Sequence, residues 1–298
     1  MKSWPADLSG TSFYMVGIKG TGMAAFAELL LSRGARVSGS DVADTFYTDA
    51  ILAELQIPIA QGFSPANLPE AADWVIHSAA YDPATHPELV EAAHRGWPLL
   101  SYTEALGAFS AGLDSSGVAG VHGKTTTTGL CGTLMMALDL PGSVLVGSAV
   151  SNFGGRSTKV LGNEFFVAET CEYRRHFLHF HPRRIILTSV EMDHQDYFRD
   201  LDDIDSAFAE YAGRLPLGGM LVYCADEAGA VRVAARVAEA RPDVRMVPYG
   251  LAAAGEFRIV SIENRDEAQV FRLAGFDREW TLAVPGRPNG LNATAALA

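Results

Sequence analysis

The chain has 298 residues, of which 48% are hydrophobic and 19% are charged, and its formal net charge at pH 7 is −12. This length is enough for about two domains with their own hydrophobic cores. Because the acidic sequence contains no run rich in lysine or arginine, sequence-independent binding to nucleic acids is disfavoured. An anionic ligand would instead require local devices such as helix N-termini, glycine loops, single lysines and metal ions.

The cysteines and the first residues of the chain indicate the cellular compartment in which the protein resides. Cys131, Cys171 and Cys224 are far apart and show no metal-ligand spacing, which favours a reducing environment over a disulfide framework. The opening residues, MKSWPADLSG, contain no apolar segment of a signal peptide, and no apolar run approaches the ~20 residues of a membrane span. We therefore predict a cytoplasmic protein without membrane insertion, and the oligomeric state stays open.

The first hundred residues alternate short apolar runs with helical patterns. Strands are predicted over residues 12–18, 36–39, 74–77 and 98–100. Helices are predicted over residues 23–33, 48–55 and 87–95. Gly34 lies where a glycine commonly closes a helix C-terminus. This alternation predicts a Rossmann-like parallel sheet with helices on both faces.

A second α/β pattern opens with a strand over residues 117–120 and a helix over 125–138. Further strands are predicted over residues 165–168, 184–188 and 220–224, and a helix capped by Asp226 over 227–238. From Glu256 onwards, the alternating runs EFRIVSI, AQVFRL and EWTLAV predict an antiparallel meander, followed by a helix that begins near Asn289. We therefore expect a P-loop-type α/β domain with a small antiparallel β meander.

The boundary between the two patterns is predicted within residues 102–116, where Gly107, Gly112 and the sequence DSSG loosen the chain. The helical pattern of the last residues, NGLNATAALA, continues to Ala298. We interpret the sequence as part of a longer protein.

A glycine-rich turn, GIKGTGM, follows the first predicted strand and opens the first helix. Glycines in this position let backbone N–H groups approach a diphosphate at a helix N-terminus. Asp41 ends the second strand, where a dinucleotide-binding fold places the acid that holds a ribose hydroxyl. By itself the turn indicates NAD, but Lys19 replaces the middle glycine of the fingerprint and sets a cation beside the diphosphate position. A plain tight turn without a ligand is the alternative.

The sequence Gly123-Lys124-Thr125 follows the first strand of the second pattern. A strand–glycine–Lys–Thr–helix unit holds phosphates because its backbone N–H groups line a concavity, its lysine reaches the terminal phosphates and its threonine ligates magnesium. The leading glycine of the common phosphate loop is Val118 here. The order of strand, glycines, lysine, threonine and helix nevertheless favours a phosphate loop over a chance match.

Together the motifs resemble the Mur ligases, ATP-dependent enzymes that build the peptidoglycan precursor. The phosphate loop of that family reads Gly-Thr-His/Asn-Gly-Lys-Thr/Ser-Thr, which GVHGKTT (residues 120–126) matches except at Val121. The family loop does not rely on the glycine that is absent at Val118. GIKGTGM is similar to the turn with which the family member that adds the first amino acid holds the UDP diphosphate.

Further motifs extend the resemblance over the whole chain. SGSD (residues 38–41) and HSAAYD (residues 77–82) fall where that family member lines its uridine-nucleotide site. ETCE (residues 169–172) resembles its Glu-Ala-Asp/Cys-Glu motif, and EMDH (residues 191–194) resembles its Glu-x-Asp-His motif. PGRPNGLNA (residues 285–293) is similar to the Gly-x-His-Asn-x-x-Asn-Ala segment that closes the central domain.

The resemblance implies a domain plan and a set of site residues. Residues 1–104 are expected to form a Rossmann-like domain that binds the UDP substrate, and residues 105–298 a central ATP-binding domain. The residues expected to bind the UDP substrate are Gly17, Lys19, Gly20, Thr21, Gly22, Met23, Ser40, Asp41 and Ser78. Those expected to bind ATP are Gly120, Val121, His122, Gly123, Lys124, Thr125, Thr126, Asn289 and Asn292.

The resemblance also implies roles in catalysis. Lys124 would hold the β- and γ-phosphates, Thr125 and Glu169 one Mg²⁺ ion, and His194 a second. Lys124, Glu169 and His194 are therefore the expected catalytic residues. Asn289 and Asn292, one helical turn apart, would face the adenine together. The implied reaction passes the γ-phosphate of ATP to a substrate carboxylate, and an amino acid then attacks the acyl phosphate.

The expected activity is the addition of L-alanine to UDP-N-acetylmuramate. The segment between Glu169 and Pro182 is short, whereas the related ligase that attaches a recycled tripeptide typically carries an insertion there. Later members use a carbamylated lysine after the Glu-x-Asp-His motif, and no lysine follows Lys159. The tripeptide ligase is the alternative within the family, and an NAD-dependent dehydrogenase is the alternative of another class. Because the third domain of the family is absent from the sequence, we expect a fragment that binds substrate without turnover.

Several positions depart from the family pattern or stay ambiguous. Lys19, Val121 and Pro288 replace a glycine, a threonine and a histidine. Glu172 is interpreted either as an indirect contributor to the site or as a cap of the following turn. The alternating histidines of HFLHFH are interpreted as a β-like surface, and Arg174 and Arg175 have no assigned role.

Overall fold

The computed structural model describes residues 3–298. These residues form two compact units. The first unit extends to Gly112 and includes Leu145–Val160. The second unit contains Leu113–Val144 and Leu161–Ala298.

The first unit contains a five-stranded sheet with the strand order β3-β2-β1-β4-β5. Its strands are β1 (Ser12–Val16), β2 (Arg36–Asp41), β3 (Ile59–Gln61), β4 (Trp74–His77) and β5 (Leu99–Ser101). Its helices are α1 (Thr21–Ser32), α2 (Thr48–Glu54), α3 (Pro87–His94) and α4 (Tyr102–Ala111). Every strand pair in this sheet is parallel. The predicted Rossmann-like parallel sheet is therefore confirmed.

Helix α1 shows how the sequence pattern produces the fold of this unit. Its apolar residues Met23, Phe26, Leu29 and Leu30 are buried. Their spacing places them on one face of a helix of 3.6 residues per turn. The chain leaves the helix through Gly34, whose φ of +78° is accessible to glycine at little cost.

Residues 102–111, interpreted from the sequence as part of a loosened boundary, form helix α4 instead. Ser101 caps the helix by accepting a hydrogen bond from the Glu104 N–H, and the Glu104 carboxylate accepts one from the Ser101 N–H at 2.8 Å. This reciprocal pair is a capping box, which stabilises a helix N-terminus. The cap outweighs the low helix propensity of Gly107.

The second sheet has seven strands in the order β12-β11-β10-β6-β9-β7-β8. The strands are β6 (Asp114–Ala119), β7 (Gly142–Val150), β8 (Arg156–Val160), β9 (Phe165–Glu169), β10 (Arg184–Leu187), β11 (Met220–Cys224) and β12 (Arg245–Tyr249). The helices are α5 (Lys124–Ala137), α6 (Leu201–Ala212) and α7 (Ala228–Ala240). Strand β6 pairs in parallel with β9 and β10, so the loops after these three strands emerge at the same edge.

The predicted antiparallel meander is confirmed as strands β13 (Ile259–Arg265), β14 (Ala268–Leu273) and β15 (Glu279–Leu282). Helix α8 (Arg287–Leu297) follows it, with Pro288 in the first turn. Proline is tolerated there because the first N–H groups of a helix have no partner within the helix. The replacement of a family histidine by Pro288 is therefore compatible with the fold.

Two local predictions are wrong. Helix α7 has Glu227 at its N-cap, and the Asp226 carboxylate instead accepts the Leu251 and Ala252 N–H groups at 2.7 and 2.9 Å. The histidine-rich run does not form a β-like face either, since Tyr173–His179 is a 3₁₀ segment. Within residues 3–298, no helix is long and apolar enough to cross a membrane.

Candidate nucleotide and nucleotide-sugar sites

The phosphate loop of the second unit connects β6 to α5 through two glycines with positive φ, +139° at Gly120 and +84° at Gly123. A Cβ atom on Gly120 would clash with the hydroxyl oxygen of Thr188, and one on Gly123 would lie 2.7 Å from Asn292 Oδ1. Both positions therefore favour glycine for conformation, and Gly120 also requires it for space, because the Ser189 backbone nitrogen and oxygen lie 2.8 and 2.9 Å from its Cβ position.

The end of strand β10 supports this loop. The Val121 N–H donates to the Ser189 carbonyl oxygen at 3.1 Å, and the His122 N–H donates to Ser189 Oγ at 2.9 Å. Thr188 Oγ1 donates to the His122 carbonyl oxygen at 2.5 Å. These bonds engage two N–H groups that were expected to face a ligand. The N–H groups of the first turn of α5 lie beyond them, at the positive end of the helix dipole.

Lys124 is held over the loop by its own backbone and by Glu172. Its Nζ atom donates to the carbonyl oxygens of Gly120 and Val121, the latter at 3.3 Å. The same atom lies 3.2 Å from Glu172 Oε1 and 3.0 Å from Oε2. The Glu172 side chain is only 2% exposed and that of Lys124 is 13% exposed, so this is a largely desolvated ion pair.

Glu172 joins the phosphate loop to the segment after β10. His194 Nε2 lies 3.3 Å from Glu172 Oε1 and 4.0 Å from Asp193 Oδ2. One ligand atom from each of Glu172, Asp193 and His194 fits within 4.8 Å of the others. Asp193 was not predicted as a site residue, and Glu172 was interpreted only as an indirect contributor or a turn cap, although both belong to motifs that the sequence displays, EMDH and ETCE.

Thr125 and Glu169, which were expected to share a magnesium ion, are in contact. Thr125 Oγ1 donates to Glu169 Oε1 at 3.2 Å. Carboxylate and hydroxyl oxygens are the ligands that Mg²⁺ prefers, and an imidazole beside them is less usual. The oxygen pair of Thr125 and Glu169 therefore suits a hard divalent cation, and Glu172 and Asp193 offer carboxylate oxygens beside His194.

The turn that carries Glu172 is strained and anchored. Arg174 and Arg175 have φ values of +50° and +57°, in the left-handed region that disfavours residues with a Cβ atom. The Arg175 N–H donates to the Glu172 carbonyl oxygen at 2.9 Å. The Arg175 guanidinium binds Asp203 at 3.0 Å and Glu210 at 2.5 Å on α6. Arg175 thereby gains a structural role that the sequence did not suggest.

His194 is supported in a similar way. Its own φ is +50°, and its N–H donates to Asp193 Oδ1 at 2.7 Å. The Tyr173 ring packs 4.8 Å from the imidazole, measured between centroids, and the Tyr173 hydroxyl donates to Asp196 at 2.8 Å. Strained backbone of this kind is concentrated at functional sites.

The two asparagines of α8 differ in their surroundings. Asn292 lies against the phosphate loop, next to Gly123. Asn289 Nδ2 donates to the Pro285 carbonyl oxygen at 2.8 Å, within its own segment. Of the pair, Asn292 is the residue that the structure brings to the phosphate loop.

In the first unit, the glycine-rich turn lies under two tyrosines. Gly17 has a φ of +81°, and a Cβ atom there would lie 2.6 Å from Tyr81 Cε2. A Cβ atom on Gly22 would lie 2.9 Å from the Tyr102 hydroxyl oxygen. Gly20 forms the N-cap of α1 without a side-chain cap. Because these glycines have no Cβ atom, the turn can pass close to the rings of Tyr81 and Tyr102.

The Lys19 side chain contacts residues between β2 and the first turn of α2. Its Nζ atom donates to the carbonyl oxygens of Val42 and Asp44 at 3.1 and 2.9 Å and pairs with Asp49 Oδ1 at 3.1 Å. The residue is 5% exposed. The ammonium group therefore stabilises the segment between β2 and α2, because it neutralises a carboxylate and satisfies two carbonyl groups there.

Asp41 and Ser40 are also engaged within the unit. Asp41 Oδ2 accepts the Lys19 N–H at 2.6 Å, and Oδ1 accepts the Val42 N–H at 2.8 Å. Ser40 is fully buried and donates its hydroxyl to Glu88. Ser78 is half-buried, and its Oγ accepts the Ala80 N–H at 3.3 Å. Among Ser40, Asp41 and Ser78, Ser78 is the most exposed residue.

Both halves of the chain match models of known domain families. Residues 12–113 match the Mur ligase family catalytic domain, and residues 118–298 match the Mur ligase middle domain. UDP-N-acetylmuramate--L-alanine ligase of Treponema pallidum (strain Nichols) is 53% identical over 294 residues, which cover 99% of this chain and 61% of the relative. The enzyme of the same name from Desulfitobacterium hafniense is 37% identical over 289 residues, covering 96% and 62%. The chain thus spans about three fifths of the length of the curated relatives it matches.

Solved structures agree with this assignment. UDP-N-acetylmuramate:L-alanyl-gamma-D-glutamyl-meso-diaminopimelate ligase of Neisseria meningitides superposes with a TM-score of 0.83 at 25% identity, covering 97% of this chain and 92% of that one. UDP-N-acetylmuramate-alanine ligase of Thermotoga maritima gives a TM-score of 0.75 at 25% identity, with coverages of 96% and 64%. The chain belongs to the Mur ligase family.

Proposed function

We propose that this chain supplies the UDP-N-acetylmuramate site and the ATP·Mg²⁺ site of a cytoplasmic ligase that adds L-alanine in peptidoglycan precursor synthesis. The observation that carries the proposal is the convergence of Lys124, Thr125, Glu169 and His194, which come from three separate motifs, on one side of the second unit. The 53% identity to a ligase of this name supports the choice of substrates.

The two substrates are assigned to separate parts of the chain. We assign the UDP substrate to residues 1–104 and ATP to residues 105–298. In the first part, Gly17, Gly20, Thr21, Gly22, Met23 and Ser78 form the proposed substrate contacts. Lys19, Ser40 and Asp41 act there by shaping the turn, since their polar groups are bonded within the unit. In the second part, the first turn of α5 and Asn292 face the nucleotide, and Asn289 lies beside them on α8.

The chemistry required of these residues is positioning and charge neutralisation. A substrate carboxylate oxygen attacks the γ-phosphorus of ATP, the bond to the bridging oxygen breaks, and ADP leaves. The amine of L-alanine then attacks the acyl carbon, loses a proton, and inorganic phosphate leaves with the electron pair of the C–O bond. Lys124 and the N–H groups of α5 offset the charge of the phosphates. Thr125, Glu169 and His194 would hold Mg²⁺, which supplies further neutralisation of phosphate oxygens.

The alternative within the family is the ligase that attaches a recycled tripeptide. It is favoured by the TM-score of 0.83 to the Neisseria meningitides enzyme. The sequence relatives favour L-alanine, because their identity reaches 53% over nearly the whole chain. The dehydrogenase alternative loses its main support, since both oxygens of Asp41 accept backbone N–H groups and the residue is 4% exposed.

Calorimetric titration of the 298-residue chain tests the two sites. We expect binding of UDP-N-acetylmuramate and of a non-hydrolysable ATP analogue with Mg²⁺, and no binding of NAD. Binding of NAD without UDP-N-acetylmuramate would overturn the proposal. Phosphate release by the full-length protein, with L-alanine or the tripeptide as acceptor, separates the two ligases. The Lys124→Ala variant should lose that activity, and an unchanged rate would refute the phosphate role of Lys124.

A further inference from the structure

Glu172 has no assigned role in the proposed reaction, although it lies between Lys124 and His194 in the proposed ATP·Mg²⁺ site. It is 2% exposed, and its carboxylate contacts both Lys124 Nζ and His194 Nε2. A carboxylate buried to this degree is costly unless cations or donors compensate it. In this structure the compensation comes from the lysine that the proposed function assigns to phosphate, and the inference below rests on that function.

The ammonium group of Lys124 already has a full set of acceptors. An ammonium group has three N–H donors. The acceptors around Nζ are two loop carbonyl groups and the two oxygens of Glu172. A phosphate oxygen must therefore displace at least one acceptor before it binds Nζ directly.

Glu172 is the acceptor whose hold on Lys124 depends on ionic conditions. The carbonyl groups of Gly120 and Val121 belong to the loop itself and stay with it. The Glu172 carboxylate would repel a polyphosphate while it binds Lys124, because both carry negative charge. The same carboxylate attracts a divalent cation, since Asp193 and His194 offer further ligand atoms within 4.8 Å.

We propose that Glu172 is a positioning residue that makes nucleotide binding dependent on the divalent cation. Without the cation, Glu172 retains Lys124 and disfavours phosphate. With the cation, the charge of Glu172 is neutralised and Lys124 is released toward phosphate oxygens. Such a coupling between two ligands is reciprocal, so the nucleotide also strengthens cation binding.

The test measures the affinity of the chain for adenylyl imidodiphosphate, with EDTA and with saturating MgCl₂. The variants are Glu172→Gln, which keeps the shape of the side chain but removes its charge, and Glu239→Gln, which removes a charge from an exposed position of α7. We expect Glu172→Gln to bind the metal-free nucleotide more tightly than the unmodified chain. Its enhancement by Mg²⁺ should be smaller by about tenfold or more, and Glu239→Gln should change neither quantity.

A cycle with Lys124→Met separates the coupling from a general effect on the site. In that background, Glu172→Gln should raise the metal-free affinity less than it does in the unmodified chain, because only the repulsion is removed and the released ammonium group is missing. Glu172→Asp retains the charge and should keep the Mg²⁺ dependence; this variant carries the test if Glu172→Gln does not fold by circular dichroism.

Three results would overturn the inference in distinguishable ways. If Glu172→Gln binds more weakly with Mg²⁺ and unchanged in EDTA, Glu172 serves the cation alone and does not restrain Lys124. If the unmodified chain binds no nucleotide under either condition, the ATP site of the proposed function fails together with the coupling. Equal weakening in both conditions would indicate a purely structural residue and would also refute the coupling.

Discussion

Asn292 Oδ1 on α8 lies 2.7 Å from the position that a Cβ atom on Gly123 would occupy. Helix α8 therefore fills the space that any side chain at the tip of the phosphate loop would need. Gly123 also has a φ of +84°, which residues with a Cβ atom adopt only with strain. The Asn292 amide would thus have to move before the loop could accept a side chain at position 123.

Gly123→Ala should lower the free energy of unfolding by about 2–4 kcal/mol, because backbone strain and the clash with Asn292 add together. It should also weaken binding of the ATP analogue. Gly255→Ala is the matched control, since Gly255 has a φ of +86° with no atom within 4 Å of the added Cβ. We expect about 1 kcal/mol from that strain alone. Chemical denaturation measures both variants, and equal losses would contradict the clash.

Arg175→Ala should weaken binding of the ATP analogue although the side chain touches no proposed ligand position. Its guanidinium joins the turn after Glu172 to Asp203 and Glu210 on α6. Without this anchor the two left-handed residues of the turn relax, and Glu172 moves relative to Lys124. The loss of stability should be about 1 kcal/mol, since the pairs are partly exposed.

Arg199→Ala is the control for Arg175→Ala. Arg199 binds the same Asp203 carboxylate at 3.3 Å, but its side chain is 83% exposed. Titration calorimetry should show unchanged nucleotide affinity for this variant. If both variants reduce the affinity equally, the effect comes from Asp203 and not from the turn.

Lys19→Met should destabilise the first unit and leave the affinity for UDP-N-acetylmuramate nearly unchanged. The substitution leaves Asp49 and two carbonyl groups without their cation, which should cost about 1–3 kcal/mol. A lysine that held the diphosphate would show the opposite pattern, with a large loss of affinity and little loss of stability. Thermal unfolding and ligand titration on the same sample distinguish the two.

We expect His86 to make the stability of the first unit depend on pH. Burial lowers the pKa of His86, with a smaller opposing effect of Glu88 and a reinforcing one of His77. The unfolded chain therefore binds this proton more readily than the folded one. Stability should be fully present above about pH 6.5 and should fall as the pH drops below that value, by at most ~1.4 kcal/mol per pH unit.

His86→Phe should remove this part of the pH dependence. Neither ring nitrogen has a hydrogen-bond partner among the described residues, and the ring packs against Phe63 and Tyr81 at 4.6 and 4.9 Å between centroids. A phenyl ring keeps that packing, so stability at pH 7 should not decrease. His94→Gln, at an exposed position of α3, should leave the slope unchanged. Denaturation midpoints from pH 5 to 8 decide between these outcomes.

Local features of the sequence were sufficient for much of the fold. The apolar spacing of Met23, Phe26 and Leu30 predicts α1, and the strand–turn–helix order predicts two parallel sheets. Helix α4 was missed because two glycines outweighed the capping signal of Ser101 and Glu104. Strand β8 was missed because Arg156 makes it polar. Arg156 pairs with Glu28 and Glu54, which lie on α1 and α2, far from it in the sequence.

The sequence by itself determined where the phosphate loop and the glycine-rich turn lie, because each is a short motif whose conformation depends on neighbouring residues. Only the tertiary structure decided that Lys124 pairs with Glu172, that Glu172 meets His194, and that Lys19 points to Asp49. These contacts join residues separated by many positions, and the order of strands in each sheet brings them together. A charged side chain in a motif indicates chemistry, but its partner follows from packing and from the cost of leaving a buried charge alone.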